Sequence, residues 1–397
     1  MKLAYVVPRY GPQINAGAEY AVRMLAERLV DQHDWQVEVL TTCAVDTQTW
    51  ADHLPPGTTV DNGVTVRRFR SESGRHPRFN ALSHAVLGAP ERASTADQRR
   101  WLDLQGPCSA GLLAATGSTD ADLVAFSPYL FQPSVQGVPA VGPHRAVFHP
   151  AAHDEPPLRL PVMRKVFAGA AGFVFYTHSE RRLVEARFGV GAKPQLVLGL
   201  GVEEHPGRAG DARTRLGLGQ APYLLSVGRV DNGKGTGALV EFFAAYKARH
   251  PGPLRLVVAG DVVDPPRAHD DVVLPGRIDD ETKWGLMRGA TAFVNPSAFE
   301  SFSLVVIEAW RAGAPVVVNG RCEATREHCE RSGGGLWYQS FAEFEVTIDR
   351  LVRDDALRAR LATAGGDYVR ASFEWPGLID RYATFLELLA DRNATIG

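Results

Sequence analysis

Glu300 and Glu308 stand eight positions apart in the segment AFESFSLVVIEAWRAGAP, and carboxylates so placed can hold hydroxyl groups. Residues from Ser303 to about Ala312 read as a helix, closed by Gly313 with Pro315 shortly beyond. Leu304, Val305, Val306, Ile307, Ala309 and Trp310 make that helix apolar almost all round, so it is expected in a core with Glu308 in its middle. A carboxylate there is costly unless something hydrogen-bonds to it. Glu300 precedes a helix N-terminus, where backbone N–H groups and the helix dipole favour an anion. The amides of Phe302 to Leu304 therefore suit a phosphate and Glu308 a pair of hydroxyls, a combination that fits a sugar nucleotide. The plain alternative is a Glu308 satisfied by an arginine or a water, with Glu300 capping the helix.

A second element lies upstream. Tyr223 to Val227 is an apolar strand running into Gly228, followed by Arg229 and Lys234 in a loop and by a helix from Ala238 to about His250. Gly228 lets backbone approach a ligand closely, and Gly233 and Gly235 permit the turn and the helix entry. Arg229 offers a fork of donors and Lys234 a point charge, a clamp suited to a diphosphate. Two solvated charges on an exposed loop are the ordinary reading of the same residues. The order, cationic loop first and E-x7-E later in one α/β region, is more specific than either part.

With Gly228-Arg229, Lys234-Gly235, Glu300-Ser301-Phe302, Glu308-Ala309 and Gly313-Ala314-Pro315-Val316-Val317, the chain resembles the donor half of family 4 retaining glycosyltransferases of the GT-B fold. The resemblance runs along nearly the whole chain and is strongest from about Tyr223 to Val318. It implies two Rossmann-like, doubly wound parallel-sheet α/β domains facing across a cleft, and retention of anomeric configuration without a metal. It also implies that Arg229 and Lys234 bind the donor diphosphate and that Glu300 contacts hydroxyls of the transferred sugar. The 301–304 backbone would contact sugar and phosphate, and Glu308 the nucleotide ribose. The expected donor-binding set is Gly17, Gly228, Arg229, Lys234, Arg277, Ile278, Glu300, Ser301, Phe302, Ser303, Leu304 and Glu308; His153, Glu300, Arg229 and Lys234 are the expected catalytic set. Ser303 occupies a place where the family usually has glycine, and a side chain there is expected to narrow the room for the sugar.

The elements that must position these residues recur in two series. Strand candidates in the first half are Leu3–Val7, Val37–Thr41, Val64–Phe69, Asp122–Phe126, Ala146–Phe148, Phe173–Tyr176 and Gln195–Leu198. Helical patterns such as Gly17–Val30 and Ser179–Phe188 separate several of them, as in a parallel sheet covered on both faces. The second half repeats the scheme at Tyr223–Val227, Leu254–Ala259, Val272–Leu274, Ala292–Asn295, Pro315–Val318 and Gly335–Tyr338. Glu203 to Gln220, rich in glycine and charge, reads as a linker. The expected division is an acceptor-binding domain over 1–204, a nucleotide-sugar-binding domain over 205–374, and a helix over 375–397 that packs back on the first domain. The strand ends of such sheets meet ligands, which places Arg229 and Glu300 together with the loop after the first strand, Arg9 to Glu19.

That first loop carries Asn15, Ala16 and Gly17 where the family commonly has two consecutive glycines before Ala-Glu, so Gly17 is a phosphate candidate and Asn15 an acceptor candidate. An ordinary strand–helix connection, capped by Asn15, reads equally well. No G-x-G-x-x-G follows Val7, which removes a nicotinamide site. His149 to Pro157 packs His153, Asp154 and Glu155 into one turn that could move a proton, position hydroxyls or simply shape the chain. The resemblance implies a histidine lining the sugar site here, hence His153, with Asp154 beside it. Asp120-Ala121-Asp122 has a metal-binding D-x-D form but directly precedes a strand, where entry to that strand is the simpler role. Ser71 to about Ala115 reads as polar and irregular, an insertion where acceptor loops would sit, and Gln105 is its acceptor candidate. Pro157 to Phe167 mixes basic and apolar residues and is expected as a partly buried helix, with weak peripheral membrane contact as the other reading.

Composition bounds the rest. A chain of 397 residues with 45% hydrophobic and 22% charged residues suits two soluble domains. A formal net charge of −2 argues against bulk nucleic-acid binding. No apolar run is long enough to span a bilayer, no signal peptide opens the chain, and Cys43, Cys108, Cys322 and Cys329 form no C-x-x-C pair, so a cytoplasmic protein with reduced thiols is expected. The expected enzyme is a monomer or homodimer in glycan or natural-product biosynthesis, with no tightly bound cofactor, no metal, and a UDP- or GDP-sugar as donor substrate. The competing readings are an epimerase or phosphorylase type of enzyme on a related fold, and a non-catalytic sugar-nucleotide-binding protein.

Overall fold

The computed structural model describes residues 1–14 and 17–396, the last four of these by backbone alone. The chain divides into two compact units, residues 1–198 with 376–397, and residues 199–375.

The first unit holds an eight-stranded sheet: β1 (Lys2–Val6), β2 (Gln36–Thr42), β3 (Gly57–Asp61), β4 (Val64–Phe69), β5 (Leu123–Phe126), β6 (Ala146–Phe148), β7 (Gly172–Phe175) and β8 (Gln195–Val197). Their order is β3-β4-β2-β1-β5-β6-β7-β8, parallel throughout except for the β3–β4 hairpin. β1, β5, β6 and β7 are apolar runs buried on both faces, the pattern of a covered parallel sheet. The edge strand β3 is exposed and lies outside the strand candidates named above. Its signal is the pair Asn62-Gly63, both at positive φ (47° and 80°), which turns a two-residue hairpin into β4.

Two further differences have local causes. The segment expected to be irregular forms the helices Phe79–Leu87, Thr95–Gln105 and Ala110–Ser118. Ser94 and Ser109 start the last two, their hydroxyls accepting the N–H groups of Asp97 and Leu112. The supposed linker contains the helix Ala209–Arg215, which packs on the helix Asp280–Gly289; a side chain at Gly285 would lie 2.7 Å from the Arg208 carbonyl oxygen. The basic–apolar segment forms the helix Pro161–Gly169, with Met163, Val166 and Phe167 in the core and Arg164 and Lys165 exposed.

The helix Trp375–Ile396 belongs to the first unit from Pro376 onward. Leu378, Ile379, Tyr382, Ala383, Leu386 and Leu389 are buried along one face. Its Tyr382 hydroxyl lies 2.8 Å from that of Tyr5 and 3.0 Å from His149 Nε2, a polar chain that ties the last helix to β1 and the end of β6.

The second unit is a six-stranded, wholly parallel sheet of β9 (Tyr223–Val227), β10 (Arg255–Ala259), β11 (Val272–Gly276), β12 (Ala292–Asn295), β13 (Val316–Asn319) and β14 (Gly335–Tyr338). The order is β11-β10-β9-β12-β13-β14, so the winding reverses between β9 and β12. At such a reversal, outside the carboxyl ends of the strands, open α/β sheets receive ligands. β9 is followed by the cationic loop and β12 by the Glu300 loop.

Candidate active site

The loop after β9 is drawn against its neighbours by two glycines. A side chain at Gly260 (φ 147°) would lie 1.8 Å from the Gly228 carbonyl oxygen, so the ends of β9 and β10 meet backbone to backbone. Gly235 (φ 74°) precedes the helix Thr236–Arg249, and a side chain there would lie 2.7 Å from the Pro296 carbonyl oxygen. Only glycine allows this contact between the β9 and β12 loops.

Asp231, 6% exposed, organises the loop. Its Oδ1 accepts the Lys234 N–H at 2.7 Å, and its Oδ2 pairs with the Arg229 guanidinium. Burial pushes the Asp231 carboxyl up, but Arg229 and Lys234 outweigh it and hold the group below the usual carboxylate range. Lys234 reaches across to Glu300, with Nζ 2.8 Å from Oε1. The structure thus brings Arg229, Lys234 and Glu300 to one edge of the sheet, with Arg229 joined to Asp231 and Lys234 to Glu300.

The Glu300 loop is braced from beneath. Asn295, at the end of β12, accepts the Ser297 N–H at 2.9 Å and donates from Nδ2 to Ser303 Oγ at 2.7 Å. Ser303 is 6% exposed and takes the left-handed conformation (φ 70°) directly before the helix Leu304–Arg311. Its hydroxyl is turned to Asn295 and forms a buried clamp. Phe302 packs edge-on to His328 and Phe373, with ring centroids 5.0 and 5.2 Å away.

His328 lies on the helix Glu323–Ser332, its Nδ1 3.0 Å from the Tyr368 hydroxyl. Burial holds this imidazole neutral and pulls its pKa down to about 3. A pKa depressed in the fold contributes stability above the unfolded value near 6.5 and loses it as pH falls towards 3, at about 1.4 kcal/mol per pH unit. The stability advantage of wild type over His328→Asn should therefore shrink between pH 6.5 and 4, as measured by urea unfolding. An advantage that stays constant would mean that His328 does not titrate with unfolding.

Glu308 is 8% exposed in the apolar helix, and its partner is Lys283, whose Nζ lies 3.0 Å from Oε1. The sequence alternative of a nearby cation is thus met by a lysine rather than an arginine, and for one oxygen alone. Oε2 is buried and has no hydrogen-bond partner among the described residues. Burial pushes this carboxyl up, and the Lys283 ammonium opposes the shift without cancelling it. Behind it, Trp310 Nε1 donates to the Gly334 carbonyl at 2.8 Å. Arg277 is exposed and Ile278 half-buried in the turn after β11, following Gly276 at φ 73°.

The remaining candidates lie in the first unit. Gly17 opens the helix Gly17–His33, and Asn15 falls outside the described residues. Arg9 and Glu19 form a buried pair, Nη2 to Oε1 at 2.6 Å. His153 Nδ1 is 3.5 Å from Glu155 Oε1, which accepts the Tyr129 hydroxyl at 2.7 Å. Asp154 is exposed and pairs with Arg159 at 2.9 Å. Gln105 departs from the expected open acceptor loop: it is 3% exposed at the end of a helix, and its carbonyl receives Trp50 Nε1 at 2.8 Å. Asp120 pairs with the Lys2 ammonium, and Asp122 Oδ2 accepts the Lys2 N–H at 2.7 Å, so both engage the strand start. Among the described residues no three His, Cys, Asp or Glu side chains group as a metal site would require.

Glu180 and Lys283 have no place in the sequence reading. Glu180 is fully buried and accepts N–H groups from Ala152 at 2.8 Å and Tyr176 at 2.7 Å. It thereby holds the turn that leads to His153, where Ala151 takes φ 52°. Its signal was Thr177-His178-Ser179-Glu180, a capping box in which the Thr177 hydroxyl accepts the Glu180 N–H at 3.2 Å.

Comparison with known proteins completes these observations. The family described as "Glycosyl transferases group 1" matches residues 221–354. A D-inositol 3-phosphate glycosyltransferase of Frankia alni is 32% identical over 384 residues, covering 86% of each chain. The lipopolysaccharide core biosynthesis glycosyltransferase LpsE of Rhizobium meliloti is 31% identical over 182 residues, 43% of this chain and 51% of that protein. Among solved structures, sucrose-phosphate synthase from Thermosynechococcus elongatus superposes with TM-score 0.69 at 18% identity over 98% of both chains. HepE of Anabaena, in complex with UDP and glucose, gives TM-score 0.67 at 16% identity over 98% of this chain and 99% of its own. At such identities these two establish a common fold.

Proposed function

The chain belongs to the group 1 glycosyl transferases, and from that premise we propose that it transfers a glycosyl group from a nucleoside diphosphate sugar to a hydroxyl acceptor with retention of configuration. The observation that carries this reading is the meeting of Lys234 and Glu300, 2.8 Å apart, at the β9/β12 reversal, with Arg229 on the same loop. Residues 205–374 would bind the donor and residues 1–204 the acceptor, with the helix over 375–397 packing back on the latter.

In this reading the diphosphate lies between Arg229, Lys234 and the first turn of the helix Leu304–Arg311. As the glycosidic bond breaks, the electron pair stays on the leaving diphosphate, and these groups stabilise its growing negative charge. Glu300 holds hydroxyls of the sugar with the 301–304 backbone, and Glu308 accepts the ribose hydroxyls through its uncommitted oxygen. Arg277 and Ile278, after β11, flank the nucleoside. The acceptor proton passes to a donor phosphate oxygen, while His153 and Asp154 shape the acceptor side. The UDP recorded with HepE supports uridine as the first base to try, with guanosine second.

Uridine, guanosine, adenosine and thymidine diphosphates should separate in a thermal-shift screen. The matching nucleotide at 100 times its Kd adds about 2.7 kcal/mol of stability. Absence of any shift would overturn the donor assignment. Release of nucleoside diphosphate only when a hydroxyl acceptor is added distinguishes a transferase from a binding protein.

A further inference from the structure

Lys283 has no part in the donor set above, and sequence spacing gives it none. It lies on the helix Asp280–Gly289 after β11, with 17% of its side chain exposed, and its ammonium is 3.0 Å from both Glu308 Oε1 and Asp280 Oδ1. The two carboxylates differ: Asp280 is at the surface, with 63% of its side chain exposed, while 11% of the Glu308 side chain is exposed. Burial draws the Lys283 ammonium down, and Glu308 and Asp280 more than restore it. Burial pushes the Glu308 carboxyl up, and Lys283 is the close cation that opposes this and fixes Oε1. With Oε1 held, the acceptor capacity of Glu308 is concentrated on Oε2, which is buried and lacks a partner among the described residues. An ion pair that served only to join two helices would not require that second oxygen to stay uncommitted.

We infer that Lys283 is a positioning residue for the nucleotide pentose: by fixing Oε1 it presents Oε2 of Glu308 to a ribose hydroxyl and so makes the protein select ribonucleotides over 2′-deoxyribonucleotides. This rests on the reading of Glu308 given above.

The test compares UDP with 2′-deoxy-UDP, and GDP with 2′-deoxy-GDP, by titration calorimetry on wild type, Lys283→Met, Lys283→Arg and Glu308→Gln. For the base that binds, wild type should prefer the ribonucleotide by roughly tenfold or more, because a site built to bond a hydroxyl rejects the analogue lacking it. Lys283→Met should bring that preference to within about twofold and raise the donor KM more than it lowers kcat, whereas Lys283→Arg, which keeps the cation, should retain most of it. A wild-type preference preserved in Lys283→Met while Glu308→Gln loses it overturns the role of Lys283 alone. A preference preserved in Glu308→Gln as well, or missing from wild type, overturns the ribose reading and this inference with it. Should Lys283→Met fail to fold, Lys283→Gln carries the same comparison.

Discussion

Lys234→Ala should lower kcat/KM for glycosyl transfer by a factor of about 100 to 1,000, the scale on which a single preorganised donor to a developing negative charge acts. The ammonium is the group that bridges the two loops of the β9/β12 reversal, and 37% of its side chain is exposed, enough to meet a diphosphate. Its removal leaves the loop otherwise intact. The Lys234 bond to Asp231 Oδ1 comes from its backbone N–H, and Thr236 Oγ1 still donates to the Asp231 carbonyl at 3.0 Å. The melting temperature should therefore change little. Part of the loss falls on Glu300, which gives up its only close cation among the described residues. Lys234→Arg should recover part of the rate, because charge returns with a different geometry. Steady-state kinetics on a donor identified by the nucleotide screen decide the matter; turnover within a fewfold of wild type would remove Lys234 from the diphosphate site.

Trp310→Ala should destabilise the second unit by about 3–5 kcal/mol, the usual cost of truncating a buried tryptophan to alanine. Trp310 is 1% exposed, and its Nε1 donates to Gly334. The helix Asp355–Ser372 approaches it so closely that a side chain at Gly365 would lie 2.1 Å from the indole Cδ1. Removing the ring therefore empties a contact that the facing helix cannot readily close, and leaves a buried carbonyl without its donor. At roughly 2–4 °C per kcal/mol for a unit of this size, calorimetry should show a fall in melting temperature of roughly 6–20 °C. Glu308 sits two residues away on the same helix, so nucleotide affinity should fall along with stability. A fall of less than about 2 °C would mean that the site collapses around the missing ring.

Much of this site was legible before any fold was known, because its parts are local. A strand running into Gly228, two cations five positions apart and a helix form one short continuous segment, and so do a strand end, Glu300 and an apolar helix around Glu308. Other local signals are fainter. Asn62-Gly63 turns the β3–β4 hairpin, Ser94 and Ser109 start helices in a stretch read as irregular, and Thr177 with Glu180 forms a capping box. These depend on one or two polar side chains, and hydrophobic periodicity does not register them.

What the sequence determined by itself was chemistry carried within single strand–loop–helix segments: which loops hold charge, which helix is buried, and which family the pattern resembles. Tertiary structure alone decided the pairings across segments. Lys283 meets Glu308 from 25 residues away, Lys234 meets Glu300 from 66, and Gly235 touches Pro296 because β9 and β12 lie side by side. Strand order in a parallel sheet follows from how whole elements pack their apolar faces, a sum over many residues that no local spacing contains. The partner of a buried carboxylate is settled only when that packing is complete.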